Sequence, residues 1–197
     1  YLKDEESGRF WSPTTLPCRS NSAYITRHGF GYSVFEHSED GILSEMTVFT
    51  DISAPLKYII IKLRNLSGRH RRISATGSIE WVLGDIRAKN KNHTITDMDE
   101  RSGALLAWNS YTVEFKNRVA FFHADGSNKS FTTDRTEFLG RNGTLDNPDG
   151  LNRARLSGKT GAALDPCAVI QVIAELGEEE AEQIIFRLGA GTGRQQA

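Results

Sequence analysis

The sequence predicts an all-β protein, an antiparallel β-sandwich, and three observations carry that prediction. Short runs rich in β-branched and aromatic residues succeed one another along the 197-residue chain. Glycine, asparagine and aspartate punctuate them at turn positions. Helical periodicity is nearly absent, and about ten closely spaced strands with little helix fit two packed antiparallel sheets in one domain.

The first run, YLKDEESGRFW, reads as a hairpin in which Tyr1-Leu2 and Phe10-Trp11 flank an acidic turn at Ser7-Gly8. In RHGFGYSVFEH, Arg27 to His37, glycines interrupt two sheet segments, and Gly29 and Gly31 mark a bend or the close approach of another group. YSVFEHS and GILSEMTVFTD pair through Asp40-Gly41, a dipeptide suited to the positive-φ turn between antiparallel strands. PLKYIIIKLRNLS is apolar on both parities at Tyr58 to Ile61, which predicts a central strand with both faces covered. LSGRHRR then turns the chain into RRISATGSIEWVLG.

ALLAWNSYTVEF, RVAFFHA, KSFTTD, AVIQVIAEL and EQIIFRLG supply further strands. Two places invite helix. TDRTEFLGRNG suits a short helix capped at Thr133 or Asp134, and GEEEAEQIIF suits either a helix start or a hairpin turn.

Composition limits the functions available. Lysine plus arginine number 24 against 25 aspartate plus glutamate, so no global field draws the chain to nucleic acid. The basic Arg69 to Arg72 stretch reads as a solvated turn. No run approaches the roughly 18 apolar residues of a membrane span and no leader precedes Tyr1, so the chain reads as a soluble segment without direct membrane insertion. Cys18 and Cys167 read as free thiols.

His28 and His37 differ by an odd number of residues and would face opposite ways on one uninterrupted strand; no metal and no cofactor is expected. Trp11, beside a turn, and Trp108 are candidates for stacking on a sugar ring, whereas Trp81 sits among apolar residues and reads as core. Loop carboxylates, among them Asp134, Glu137, Asp146 and Asp165, are of the type that hydrolyses glycosides, but no spacing brings them together.

Seven segments in order, YLKDEESGRFWSPT, RHGFGYSVFEH, LRNLSGRHRRIS, IEWVLG, GALLAWN, TDRTEFLGRNG and LSGKTGAALDPCAVIQ, resemble the N-terminal β-sandwich (supersandwich) domain of the cellobiose-phosphorylase-like family. Within it they are most similar to the phosphorylase-like region of cyclic β-1,2-glucan synthases. The resemblance covers residues 1–191 and leaves 192–197 as the start of a linker or tail. It implies a non-catalytic accessory domain whose partner is an (α/α)6 barrel carrying the general acid. It also implies a homodimeric parent that is associated with the inner membrane, with this part at its cytoplasmic face.

The family's loop that approaches the active site of the other subunit is matched here by Asp134, Arg135, Phe138, Gly140, Arg141 and Asn142. Members of the family have sandwich sequence ahead of YLKDEE, so the resemblance further implies that the first strands are missing. The rival expectation is an autonomous β-glucan-binding module with Trp11 and Trp108 as its platform. A third is a small hydrolase that uses Asp134 and Glu137.

Overall fold

Alternation of side chains along each run builds two antiparallel sheets facing one another. The computed structural model describes residues 1–194 and 196–197. Its strands are β1 (Leu2–Asp4), β2 (Phe10–Trp11), β3 (Tyr24–Gly29), β4 (Tyr32–Glu39), β5 (Ile42–Thr50), β6 (Leu56–Asn65), β7 (Arg71–Glu80), β8 (Thr94–Met98), β9 (Leu105–Asn109), β10 (Arg118–Ala124), β11 (Lys129–Asp134), β12 (Pro166–Leu176) and β13 (Ala181–Thr192). The smaller sheet runs β11-β12-β7-β1-β2 and the larger β3-β4-β5-β6-β13-β10-β9-β8. Two short helices, α1 (Arg87–Asn90) and α2 (Arg135–Leu139), follow β7 and β11.

Between the sheets lies the main core. Ile73 and Ala75 of β7, with Ala168, Ile170, Val172 and Ala174 of β12, meet Ile61, Leu63, Phe122, Ile184 and Phe186 of the large sheet. A Cβ on Gly77 would stand 2.7 Å from Phe186 and 2.8 Å from Phe122. Glycine there lets the two stacked phenyl rings, 5.7 Å between centroids, sit against the opposing strand.

The opposite parity of β12 and β1 is also covered. Cys167 and Val169 pack with Phe138, Leu139, Leu151 and Leu156 of the β11–β12 connection, joined by Tyr1 and Phe10. The small sheet is therefore covered on both faces, the outer one by apolar side chains around Cys167 and Val169 and with buried polar Ser74, Thr76 and Gln171 farther along, and β12 is buried almost throughout.

At one end the turns are tied together by buried polar groups. Arg71 is fully buried and donates to the Asp40 carbonyl at 2.6 Å, to Asp4 at 3.2 Å and to Asp40 Oδ2 at 3.2 Å. Burial pushes the Asp4 carboxyl up, but donation from Ser7 and the Glu6 amide, with Arg71 nearby, holds it below the usual carboxylate range. Asn65, also buried, donates to the carbonyls of Arg69, Leu176 and Gly177 and accepts from Ser67.

Several sequence expectations appear directly: the Tyr1–Trp11 hairpin, the Asp40-Gly41 turn with φ of 51° and 76°, and the buried Trp81. The acidic run after Gly177 is a turn, neither a helix start nor a hairpin, because it carries the chain from β12 in the small sheet to β13 in the large one. Cys18 and Cys167 are buried free thiols.

Other expectations require correction. β6 is central in its sheet, but only one face is covered, because Tyr58 and Ile60 point away from the core and remain half-buried. The β3–β4 pairing is regular and places His28 opposite Ser33, on the same face as His37. The two-residue turn restores the parity that an unbroken strand would have inverted. The group that approaches Gly29 is the ring of Tyr32, which would lie 2.3 Å from a Cβ there.

Candidate functional site

The segment singled out in the sequence begins where β11 ends in a local register shift between Thr132 and Asp134. Asp134 takes extended geometry and its Oδ1 accepts the Thr136 amide at 3.0 Å, the N-cap that sequence reasoning placed at Thr133 or Asp134. Its second oxygen is paired with Lys159. α2 ends at Gly140, whose φ of 84° and ψ of 164° belong to a region that side-chain-bearing residues rarely enter. A Cβ on Gly140 would stand 1.9 Å from Asp149 Oδ2.

Phe138 faces the small sheet, is 3% exposed and meets Tyr1 edge-on at 5.7 Å. Gly150 packs so closely that a Cβ there would lie 2.6 Å from the Phe138 ring.

Arg135 points to the rim where β7 ends and β12 begins. Its Nε donates to Glu80 at 2.6 Å, and its Nη1 lies 3.7 Å from Asp165. Arg87 bridges the same two carboxylates, at 3.1 Å from Glu80 and 2.6 Å from Asp165. The hydrogen bond to Glu80 raises the guanidinium pKa of Arg135 further. Two cations and two anions close a ring that ties the β7–β8 and β11–β12 connections together at one corner, beside a cleft of about 200 Å³ lined by Arg135, Phe138 and Leu145.

Glu137 turns the other way. It accepts Thr132 Oγ1 at 2.6 Å, the Ser157 amide at 2.9 Å and Ser157 Oγ at 2.6 Å, with Arg153 at 3.7 Å. Burial pushes its pKa up, but these donors outweigh burial and hold it below the usual carboxylate range. A general acid must carry its proton at working pH, so Glu137 is suited to bracing the segment and unsuited to protonating a leaving group.

Arg141 and Asn142 stand apart. Both are exposed and make no side-chain hydrogen bond or ion pair among the described residues. They form the free tip of a segment whose remaining members are held: Asp134 by capping, Arg135 by charge, Phe138 by packing and Gly140 by backbone geometry.

The proposed sugar platform fares differently. Trp11 is 2% exposed because it pairs with Leu2 across the hairpin and shares its inward face, so its ring cannot stack on a ligand. Trp108 is half-buried on the outer face of β9, and Arg194 lies over its ring at 5.2 Å. A groove of about 830 Å³ passes beside it, lined also by Asp97, Lys116 and Arg118. Trp108 and the 134–142 segment lie on opposite sheets and are not brought together. Among the described residues, no group of three or more histidine, cysteine, aspartate or glutamate side chains gathers in a metal-holding arrangement, and no helix is long and apolar enough to cross a membrane.

Lys159, Glu80 and Arg87 were not among the residues singled out in the sequence. Their partners lie 25, 55 and 78 residues away, separations that leave no local pattern.

Comparison with known proteins places this geometry. The model of the glycosyl hydrolase 94 supersandwich domain matches residues 1–197. The cyclic beta-(1,2)-glucan synthase NdvB of Rhizobium meliloti is 33% identical over 96% of this chain, which spans 7% of the synthase. The N,N'-diacetylchitobiose phosphorylase of Vibrio furnissii is 28% identical over 98% of the chain, and the solabiose phosphorylase of Paenibacillus borealis is 28% identical over all of it. The chain spans 25% and 26% of those two phosphorylases.

Proposed function

The chain belongs to the glycosyl hydrolase 94 supersandwich domain family, and from that membership we propose that it is the accessory sandwich of a larger glucan-processing phosphorylase or glucan synthase. In this reading the general acid resides in a separate (α/α)6 barrel, and the sandwich contributes support. The exposed Arg141 and Asn142 reach toward the substrate cleft, across the interface of a homodimeric parent, while Asp134, Arg135, Phe138 and Gly140 hold that tip in place. The parent is associated with the inner membrane and presents this part to the cytoplasm.

One observation carries the reading: the family match takes in every residue of the chain, while the chain spans only 7% to 26% of these relatives. Carboxylates that are capped, ion-paired or held ionised support an accessory role over an independent hydrolase. Burial of Trp11 and Trp81 removes most of the support for an autonomous glucan-binding module.

The test is a pair of assays, phosphorolysis of β-glucosidic disaccharides and β-1,2-glucan synthesis, on the isolated 197-residue chain and on the full-length parent. Activity is expected in the parent alone. Turnover of either kind by the isolated chain overturns the reading.

A further inference from the structure

Where the β9–β10 connection enters β10, three successive polar side chains are unengaged on a backbone that is held. The Arg118 amide donates to the Phe115 carbonyl at 2.9 Å, the Asn117 carbonyl accepts the Gly193 amide at 2.7 Å, and Arg118 pairs with Thr192 of β13. The side chains of Lys116, Asn117 and Arg118 are exposed and make no hydrogen bond or ion pair among the described residues. Free polar groups on a fixed backbone are preorganised for a ligand.

All three line the groove of about 830 Å³ beside Trp108. The indole is half-buried, and Arg194, paired with Asp97, lies over its ring at 5.2 Å. Of the four charged side chains that line the groove three are cationic, and the one carboxylate, Asp97, is taken by Arg194. Glu114 is exposed two residues before Lys116 but does not line the groove. Lys116 and Arg118 are therefore cations with no counter-charge inside it.

These groups select among ligands. The guanidinium fork of Arg118 and the ammonium of Lys116 suit an anion with several oxygens, a phosphate above all. The Asn117 amide both donates and accepts, and indole surface packs against the C–H groups of a pyranose, the combination that a sugar ring satisfies. The volume lies within the range of small-molecule sites. A neutral glucan leaves both cations unused, and a nucleic acid needs a longer basic track than one groove.

We infer that this groove binds a sugar phosphate, with its phosphate held by Lys116 and Arg118 and its ring along Trp108 within reach of Asn117. The choice of a sugar over other phosphate esters rests on the accessory reading above, since phosphorolysis of a glycosidic bond releases a sugar phosphate.

Fluorescence titration of the 197-residue chain with glucose 1-phosphate tests this. Trp11 and Trp81 are 2% and 5% exposed, so the emission that a ligand alters is that of Trp108. A saturable change with a Kd of about 1 mM or tighter is expected, with NMR shifts of the Lys116, Asn117 and Arg118 amides as the second readout. Lys116→Ala and Arg118→Ala should each weaken binding about fivefold, as charge-assisted contacts at an exposed site, and leave the thermal midpoint in place. Glucose and inorganic phosphate each carry half of the recognised chemistry and should bind at least about tenfold more weakly.

No saturable change in emission or amide shift up to about 10 mM overturns the site. Binding that neither alanine variant weakens overturns its assignment to this groove. Inorganic phosphate that binds as tightly as glucose 1-phosphate reduces the groove to an anion site and overturns the sugar, as does tighter binding of adenosine 5′-monophosphate. The accessory reading is judged by turnover instead: glucan turnover by the isolated chain overturns that reading and leaves a measured binding site standing, and absence of binding leaves the accessory reading standing.

Discussion

Phe138→Ala measures how firmly the 134–142 segment is anchored. The ring is 3% exposed, contacts Tyr1 edge-on and packs with Leu139, Leu151, Leu156, Cys167 and Val169 on the outer face of the small sheet. Truncating a buried phenylalanine to alanine costs about 3–5 kcal/mol when the site cannot collapse. Gly150 supplies no side chain to fill the gap, but the cluster borders solvent, so the lower figure of about 3 kcal/mol applies. For a domain of this size each kcal/mol moves the midpoint by about 2–4 °C, which predicts a fall of about 6–12 °C if unfolding stays two-state.

The sheet separates this cluster from the main core, so part of the loss should appear as local opening. Hydrogen exchange of the Gly140 amide, bonded to the Thr136 carbonyl, and of the Leu151 amide, bonded to the Pro148 carbonyl, should accelerate about 100-fold. Amides of β7 and β12 on the inner face should change less. A midpoint shift under about 2 °C with unchanged exchange at Gly140 and Leu151 would refute the anchoring argument. The segment would then be held by its polar contacts, the charge ring of Arg135, Glu80, Arg87 and Asp165 together with the Asp134 cap and the Asp134–Lys159 pair.

Further expectations concern single positions. Gly140→Ala should destabilise by about 2–3 kcal/mol in denaturant titration through its unfavourable φ/ψ, and Asp149→Ala should relieve the side-chain clash while leaving that strain. Glu137 has its pKa lowered in the folded state, so the unfolded chain takes up the proton first as pH falls. Its contribution, complete above the ordinary glutamate pKa of about 4.3, should disappear as pH drops through the folded value, and Glu137→Gln should flatten that part of the acid-denaturation profile. Arg71→Met should cost about 3–5 kcal/mol by leaving Asp4 buried without its cation, and adding Asp4→Asn should recover much of it in a double-mutant cycle.

What the sequence made legible was local. Asp40-Gly41 announces its turn because few other dipeptides tolerate two positive φ values, and Asp134 announces a cap because its carboxylate precedes a short apolar run. Trp81 reads as core from its apolar neighbours. Trp11 was misread because proximity to a turn says little about which face a side chain takes. Its pairing with Leu2 decides that, and the pairing is set by where the hairpin closes.

α1 and β8 escaped notice because Arg87 to His93 is polar without helical period, and β8 has only five residues. The covered outer face of β12 was equally hidden. Only the fold lays Leu151 and Leu156, from the long β11–β12 connection, on Cys167 and Val169. Ile60 and Tyr58 show the reverse error, since apolar character on both parities did not bring a second covering layer.

The place of the last two strands governs how the protein can be made. β13 lies between β6 and β10, and β12 lies between β7 and β11, so the last two strands complete the two sheets, one each. Until it arrives, the large sheet exists as two unconnected parts, β3 to β6 and β8 to β10, each with a bare hydrogen-bonding edge. During synthesis the chain must expose those edges, with Ile59 and Ile61 on one and Phe122 on the other, until residue 192 has cleared the ribosome. Pairing β6 with β13 then closes a contact across more than a hundred residues, a slow step for any chain. A nascent chain stopped before Ala181 is therefore a substrate for chaperones or for aggregation, and cooperative folding begins only once β12 and β13 are both available.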